Sequence, residues 1–397
     1  MSETDQIVEV GDICSFINGH GFKAADWRTE GLPIIRIQNL NGSKDFNYFN
    51  GKINEKWLVH SGDILFAWAG VKGVSFGPTV WNGPRGLLNQ HIYRVEPKGD
   101  FNRRWIYAVL ERATIKIEAK AHGFKTSLVH VHKKDITSQK IKVPSRERQD
   151  EIAEIINTWD MNIEKLERLL SGKKNRFKWF LGKAFDKSKI AAKRNFGSFL
   201  KESAVPGSDG SDAKKLTVKL YGKGIVPKEE KYPGSKSTKY YKRLSGQFIF
   251  SKLDFLNGAF GIIPPHLDGY ESTSDLPAFD ISPEVNPDWL LFYLTRPVYY
   301  TRQLGLARGQ RKARRVNPKD FLSSTLPLPP RHEQDRIAKI LCTAKKDVEK
   351  TRDLLLAFQK QKRGLMQKLL TGKIRVATEQ KESMDEQKNR KEAPQSL

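Results

Sequence analysis

Two stretches of this chain carry apolar residues at alternating intervals of four and three. The first is Ile152, Ile156, Trp159, Ile163, Leu166, Leu170, Lys173, Phe177, Phe180 and Ala184. The second is Ile337, Leu341, Ala344, Val348, Thr351, Leu355, Phe358, Lys362, Leu365 and Leu369. A sustained period of about 3.5 residues marks a coiled-coil seam, whereas an ordinary amphipathic helix follows about 3.6 and persists for fewer turns. At about 1.5 Å per residue, each seam spans roughly 50 Å. Each holds one lysine, at non-equivalent positions: 173 aligns with Phe358, and 362 with Phe177. A polar seam residue either fixes register at some loss of stability or carries its charged head out to solvent, and the pattern leaves both open.

Outside the seams the apolar runs are short and bounded by Gly, Asn and Pro, as strands are. Residues 1–143 read as mixed α/β, with strands at Ile34-Ile35-Arg36-Ile37, Asp63–Ala67, His91–Val95 and Lys140–Val143. A helix is predicted from about Asn102 to Ala121. Residues 188–328 follow the same outline. Ser245–Ser251 echoes Ser61–Ala67, Trp289–Leu294 echoes Trp105–Leu110, and Lys319-Asp320-Phe321 echoes Lys134-Asp135-Ile136. The Gly/Ser/Asp-rich stretch 207–212 reads as a loop. The predicted organisation is a domain over 1–143, a helical spacer over 144–187, a second domain over 188–328, a second spacer over 329–375 and a disordered tail over 376–397. The tail is rich in Glu, Lys and Gln and lacks apolar periodicity.

The halves also repeat literally. Gln149-Asp150-Glu151-Ile152-Ala153-Glu154-Ile155-Ile156 returns 185 residues later as Gln334-Asp335-Arg336-Ile337-Ala338-Lys339-Ile340-Leu341, and 10 of the 22 positions from 149 to 170 are identical at that offset. A period this long denotes a duplicated domain plus helix, since solenoid repeats run to about 50 residues. If the two seams pair antiparallel within the chain, the domains go to opposite ends. The molecule then has approximate two-fold symmetry, matching that of duplex DNA. Each domain would read one half-site, and helix length would set the unread spacer.

Charge points the same way. Lys plus Arg number 70 against 45 Asp plus Glu, a net charge of +25 spread over both halves. Such an excess favours a polyanionic partner. Two cysteines, Cys14 and Cys342, exclude a disulfide framework and a cysteine-based zinc site, and fit a reducing cytoplasm. The polar, acidic start is no signal peptide, and no apolar run approaches the roughly 18 residues of a membrane span.

The sequence offers no chemistry of its own. The Pro-Pro pairs at 264–265 and 329–330 lack the polar residue before and the aromatic after that hold a flipped base's amino group. Gly234-Ser235-Lys236-Ser237 resembles a fragment of a phosphate-binding loop without its Gly-Lys pair. Pro287-Asp288 lacks the downstream acidic-x-Lys of a metal nuclease, and His130-Val131-His132 reads as a basic or structural pair.

Candidate DNA contacts lie in loops before the last strand of each domain. They are Lys125 and Thr126 in the first, and Arg308, Gln310, Arg311, Lys312, Arg314 and Arg315 in the second. The second loop would hold phosphates by releasing counterions. Arg36, Gln38, Asn39, Asn89, Gln90, Gln310 and Arg311 have the side chains that make bidentate bonds to bases, although each also has a structural or phosphate-binding reading. Lys252 and Trp68 follow the repeated strand, and core packing is the simpler role for Trp68.

The plan resembles the specificity subunit of type I restriction–modification enzymes. The resemblance rests on Gly62-Asp63-Ile64-Leu65, on a last strand running into proline, on the Gln-Asp-x-Ile-Ala-x-Ile helix start, and on Leu369-Leu370-Thr371-Gly372. It covers about residues 8–375. One departure is that Ile34–Asn39 has only a loose counterpart in Leu216–Leu220. The resemblance implies an α+β chain: two target recognition domains separated by two long helices in an antiparallel intrachain coiled coil. It implies a non-catalytic subunit that binds a bipartite duplex DNA target. Two methyltransferase subunits and restriction/translocase subunits are the implied partners, and S-adenosylmethionine, ATP and Mg would sit on those partners rather than on this chain. Ile152, Ile156, Trp159, Ile163, Leu166, Leu170, Ile337, Leu341, Val348 and Leu355 are the expected coiled-coil and docking residues. The competing readings are a piece of a fused restriction–methylation enzyme with its own activity, and a coiled-coil scaffold.

Overall fold

A computed structural model describes residues 6–120, 128–185, 191–229, 234–308 and 314–374. The chain forms two compact units, residues 1–165 with 355–397, and residues 166–354. It passes between them within two long helices, the central helix Arg146–Lys183 and the distal helix Arg331–Leu369.

In the first unit, strand Gln6–Glu9 pairs antiparallel with Lys140–Val143, so the domain closes on itself just before Pro144. An antiparallel sheet has the order Cys14–Asn18, Ile92–Pro97, Ile64–Ala67, Gly77–Val80. A second sheet joins Asn47–Phe49, Leu32–Ile35, Gly86–Leu88 and Leu58–Val59, its middle pair parallel. Helix Arg103–Lys120 buries Trp105, Ile106 and Leu110 in one core with Phe16, Phe66 and Val95. Ile152 and Ile156 of the central helix and Met366, Leu369 and Leu370 of the distal one complete that core. The expected strand over 34–37 stops at Ile35. Residues Ile37–Leu40 instead make a helical turn, because the Asn39 side chain accepts the Arg36 backbone N–H at 2.9 Å.

The second unit repeats the plan with different residues. Lys193–Asn195 pairs with Thr325–Pro327, and the main sheet runs Leu200–Ser203, Ala278–Ile281, Phe248–Phe250, Phe260–Ile262. Its core is largely phenylalanine, with Phe196, Phe248, Phe250, Phe255 and Phe279 packed around Phe321, and Phe260 and Trp289 in the same cluster. Gly62 and Gly246 precede the equivalent strands with φ of 92° and 85°, values that glycine alone adopts without strain. Helix Pro287–Leu294 is shorter than its counterpart because Pro297 forbids continuation. The stretch 207–212 is only partly loop. Pro206–Asp209 is a strand beside Lys239–Lys242, held where buried Glu271 accepts the Ser208 N–H at 2.8 Å.

All residues of both predicted seams are buried or half-buried. Within each unit the helices run antiparallel. In the first, Trp159 packs on Phe358 at 5.4 Å between ring centroids, and Arg148 donates to the Ile374 carbonyl at 3.1 Å. In the second, Lys173 Nζ lies 2.7 Å from Asp347 Oδ1 and 2.9 Å from Thr351 Oγ1. Lys362 Nζ lies 2.6 Å from Asp160 Oδ1 and 3.3 Å from Glu111 Oε2. Both seam lysines are therefore paired, rather than carried out to solvent.

Candidate nucleic-acid interface

Each domain is joined to its long helix by the same set of hydrogen bonds. Asn102 caps helix Arg103–Lys120 by accepting the Trp105 N–H at 3.0 Å. Its backbone N–H donates to Gln149 Oε1 at 3.0 Å, and its side-chain amide donates to Asp150 Oδ1 at 2.6 Å. Gln149 donates in turn to the Pro144 carbonyl at 3.1 Å. Asn286 does the same in the second unit. It accepts the Trp289 N–H at 3.0 Å, donates to Gln334 Oε1 at 2.8 Å and to Asp335 Oδ1 at 2.6 Å, and Gln334 donates to the Pro329 carbonyl at 2.8 Å. Arg146 and Arg331 pair with the same two aspartates at 3.1 and 2.8 Å. Bonds from Asn102 and Arg146 hold the Asp150 carboxyl below its usual range, and Arg331 and Asn286 do so for Asp335. The repeated Gln-Asp pair is thus a joint that fixes each domain on its helix. Its asparagine partners were missed from sequence, although each stands three residues before the repeated Trp.

Of the candidate contact residues of the first domain, Gln90 lies against Trp68, and Asn89 directly precedes Gln90. Val131 N–H donates to the Trp68 carbonyl at 3.2 Å. The Trp68 ring lies 5.2 Å from His91, 6.0 Å from Tyr93 and 4.8 Å from His130, and its Nε1–H donates to the Gln90 carbonyl at 3.1 Å. The Gln90 side chain is exposed, with Nε2 at 3.2 Å from His91 Nε2. Asn89 is half-buried and bridges to His20. Strand Leu128–His130 pairs with Ala69–Val71. Lys125 and Thr126 lie just before it, outside the described residues. Arg36 precedes the turn at 37–40 and Gln38 lies within it. The Arg36 guanidinium sits 5.3 Å over the Trp27 ring and Gln38 is exposed. Asn39 faces inward. It is 5% exposed, and its amide donates to the Ser43 and Asp45 carbonyls at 3.1 and 2.9 Å, which makes it the residue that closes this turn.

In the second domain the equivalent backbone bond is Val316 N–H to the Lys252 carbonyl, 3.0 Å. Ala307–Arg308 and Arg315–Val316 form a two-stranded ladder. Gln310, Arg311 and Lys312, in the segment joining them, lie outside the described residues. Lys252, Arg308 and Arg315 line a cleft of about 400 Å³ with Asp275, Asn317 and Pro318. Arg308 pairs with Asp320 at 2.9 Å and Arg315 with Asp275 at 3.5 Å, both arginines remaining exposed, as is Arg314. Exposed arginines tethered at one nitrogen keep further N–H groups for phosphate oxygens or base edges.

Of the ten expected coiled-coil and docking residues, Ile152, Ile156, Leu170, Ile337, Leu341, Val348 and Leu355 are buried within the chain, and Trp159, Ile163 and Leu166 are half-buried. The long helices expose other apolar residues, among them Leu169 and Leu354, at 48% and 46% exposure and 185 residues apart.

Residues 2–171 match the family described as type I restriction modification DNA specificity domain. The specificity subunit of type I restriction enzyme EcoBI from Escherichia coli is 26% identical over 154 residues, 38% of this chain, and the match spans 31% of that relative. The MjaVIII specificity subunit of Methanocaldococcus jannaschii is 25% identical over 412 residues, covering 94% of this chain and 93% of the relative. Two solved structures share the fold. The S subunit of a type I restriction-modification system from M. genitalium aligns over 93% of this chain and 96% of its own, with TM-score 0.55 and 12% identity. A chain solved in work on assembly and conformational transition of the type I R-M system aligns over 93% and 98%, with TM-score 0.58 and 13% identity.

Proposed function

We propose that the chain, whose residues 2–171 match the type I restriction modification DNA specificity domain, is a specificity subunit that selects the DNA target of such a complex by reading a bipartite site, one half with each domain. The observation that carries this reading is the duplicated joint. Asn102, Gln149 and Asp150 recur as Asn286, Gln334 and Asp335 with the same bonds, while beyond the shared valine the surroundings differ: Trp68 has His91, Tyr93 and His130 around it, and Lys252 has Asp275, Arg308 and Arg315. A repeated mounting with a changed face suits two different half-sites. In the first domain the reading face is aromatic and amide-bearing, with Gln90, Trp68 and Arg36. In the second it is cationic, with Lys252, Arg308, Arg314 and Arg315, and Lys125, Thr126, Gln310, Arg311 and Lys312 supply further contacts to the duplex.

Bond breaking and methyl transfer belong to partners. Two methyltransferase subunits dock on the outward faces of the long helices, restriction and translocase subunits complete the assembly in the cytoplasm, and S-adenosylmethionine, ATP and Mg are held on those subunits. The test is a genome-wide methylation map of a host with and without this chain. Loss of one bipartite motif is the expected result. An unchanged map with the partner subunits expressed would overturn the proposal.

A further inference from the structure

The two seam lysines stand at positions that the internal repeat does not relate, and each has anionic or hydroxyl partners on the opposite helix. Lys173 of the central helix meets Asp347 and Thr351 of the distal helix, and Lys362 of the distal helix meets Asp160 of the central helix together with Glu111. Their side chains are only 18% and 14% exposed. We infer that these lysines choose which helix pairs with which: each seam accepts the other seam of the chain and rejects the same seam of a second copy.

The repeat shows what a second copy would present. At the offset of 185, Asp347 corresponds to Asn162 and Thr351 to Leu166. Two central helices paired in the same register would set Lys173 against a neutral amide and an isobutyl group. Asp160 corresponds to Lys345. Glu111 corresponds to Thr295 at the offset relating Asn102 to Asn286 and Trp105 to Trp289. Two distal helices would therefore set Lys362 against a second lysine with no carboxylate beside it. A largely buried ammonium without a counter-charge is strongly unfavourable, and one facing a like charge more so. Apart from Thr351, the rest of the two seams is apolar, so it offers like helices no comparable obstacle to pairing. Discrimination thus falls on the lysines, as single polar seam residues decide pairing elsewhere. What the domains bind has no part in this choice.

The test builds each like-with-like environment into the intact chain. Asp347→Asn with Thr351→Leu gives Lys173 the neighbours it would meet on a second central helix. Glu111→Thr with Asp160→Lys does the same for Lys362. Amide hydrogen exchange along the paired helices is expected to speed up by about tenfold or more in both variants. Adding Lys173→Leu to the first and Lys362→Leu to the second should bring exchange back to within about threefold of the parent, because only an unpaired lysine is then removed. Recovery from complete unfolding on adding leucine would support the inference equally. Parental exchange rates in the first two variants would overturn it, and so would failure of the leucines to rescue, which would mean that packing damage alone caused the loss.

Discussion

Gln149 and Gln334 are 2% and 1% exposed, and each links a domain cap to a proline carbonyl. Replacing either with alanine leaves a half-buried asparagine N–H and a proline carbonyl without this partner, at up to about 1–3 kcal/mol. Thermal unfolding should therefore move down for Gln149→Ala and for Gln334→Ala, while a substitution at exposed Glu154 should leave it unchanged. The adjoining aspartates give a pH dependence. Each carboxyl is lowered in the folded chain from an ordinary value of 3.8. Their contribution is present above that value and is lost as pH falls through the lowered one. Asn102→Ala removes the largest cause for Asp150, so the midpoint of that carboxyl, followed by NMR, should rise toward 3.8. The sequence displayed the Gln-Asp pair as repetition but gave no sign of its purpose, because a hydrogen bond to a residue 47 positions upstream leaves no local pattern. Asn39 shows the opposite limit. Its amide suits adenine in a loop read as extended, and only the turn reveals that the carbonyls of residues 43 and 45 take it.

Among the elements, the helices were the most legible, since a 3.5-residue period states both the secondary structure and the buried face. Strands were placed well where apolar runs ended in glycine or proline. Residues 207–212 misled because the strand that pairs with Pro206–Asp209, Lys239–Lys242, and the carboxylate that holds Ser208, Glu271, both lie far along the chain. Every predicted seam residue is buried or half-buried, and the exposed apolar positions of the same helices are a second candidate docking face. Leu169→Asp and Leu354→Asp should weaken association with the methyltransferase subunits while circular dichroism keeps the helical signal. Equal binding by the parent and both variants would remove these residues from the docking face. On the second domain, Arg308→Ala and Arg315→Ala should weaken duplex binding. The slope of log K against log salt should fall by about 0.9 for each phosphate that is no longer neutralised. Titrations at several salt concentrations would measure it.

For the whole molecule, duplication predicts stoichiometry. Native mass measurement of the active complex should find one copy of this chain with two methyltransferase subunits, and an active complex limited to one of each would count against the proposed docking. Both passages between the units are helical, so matched insertions of four residues after Ser171 and after Leu356 lengthen both connections by about 6 Å. Against about 3.4 Å per base pair, the preferred spacer should grow by one or two base pairs with both half-sites unchanged, read by methylation of duplexes that differ only in spacer.

The joint made by Asn102, Gln149, Asp150 and Pro144 contains none of the residues around Trp68, and its twin contains none of those around Lys252. Mutation can therefore rewrite a reading face without disturbing the socket that seats it. Because the two sockets are chemically alike, a domain arriving by recombination must bring an asparagine three residues before its tryptophan and an apolar surface that the helix residues at 152 and 156, or at 337 and 341, can complete. Heredity then has two separate registers in one gene, a slow one for assembly and a fast one for target choice, and a lineage can acquire a new specificity without having to reinvent the machine.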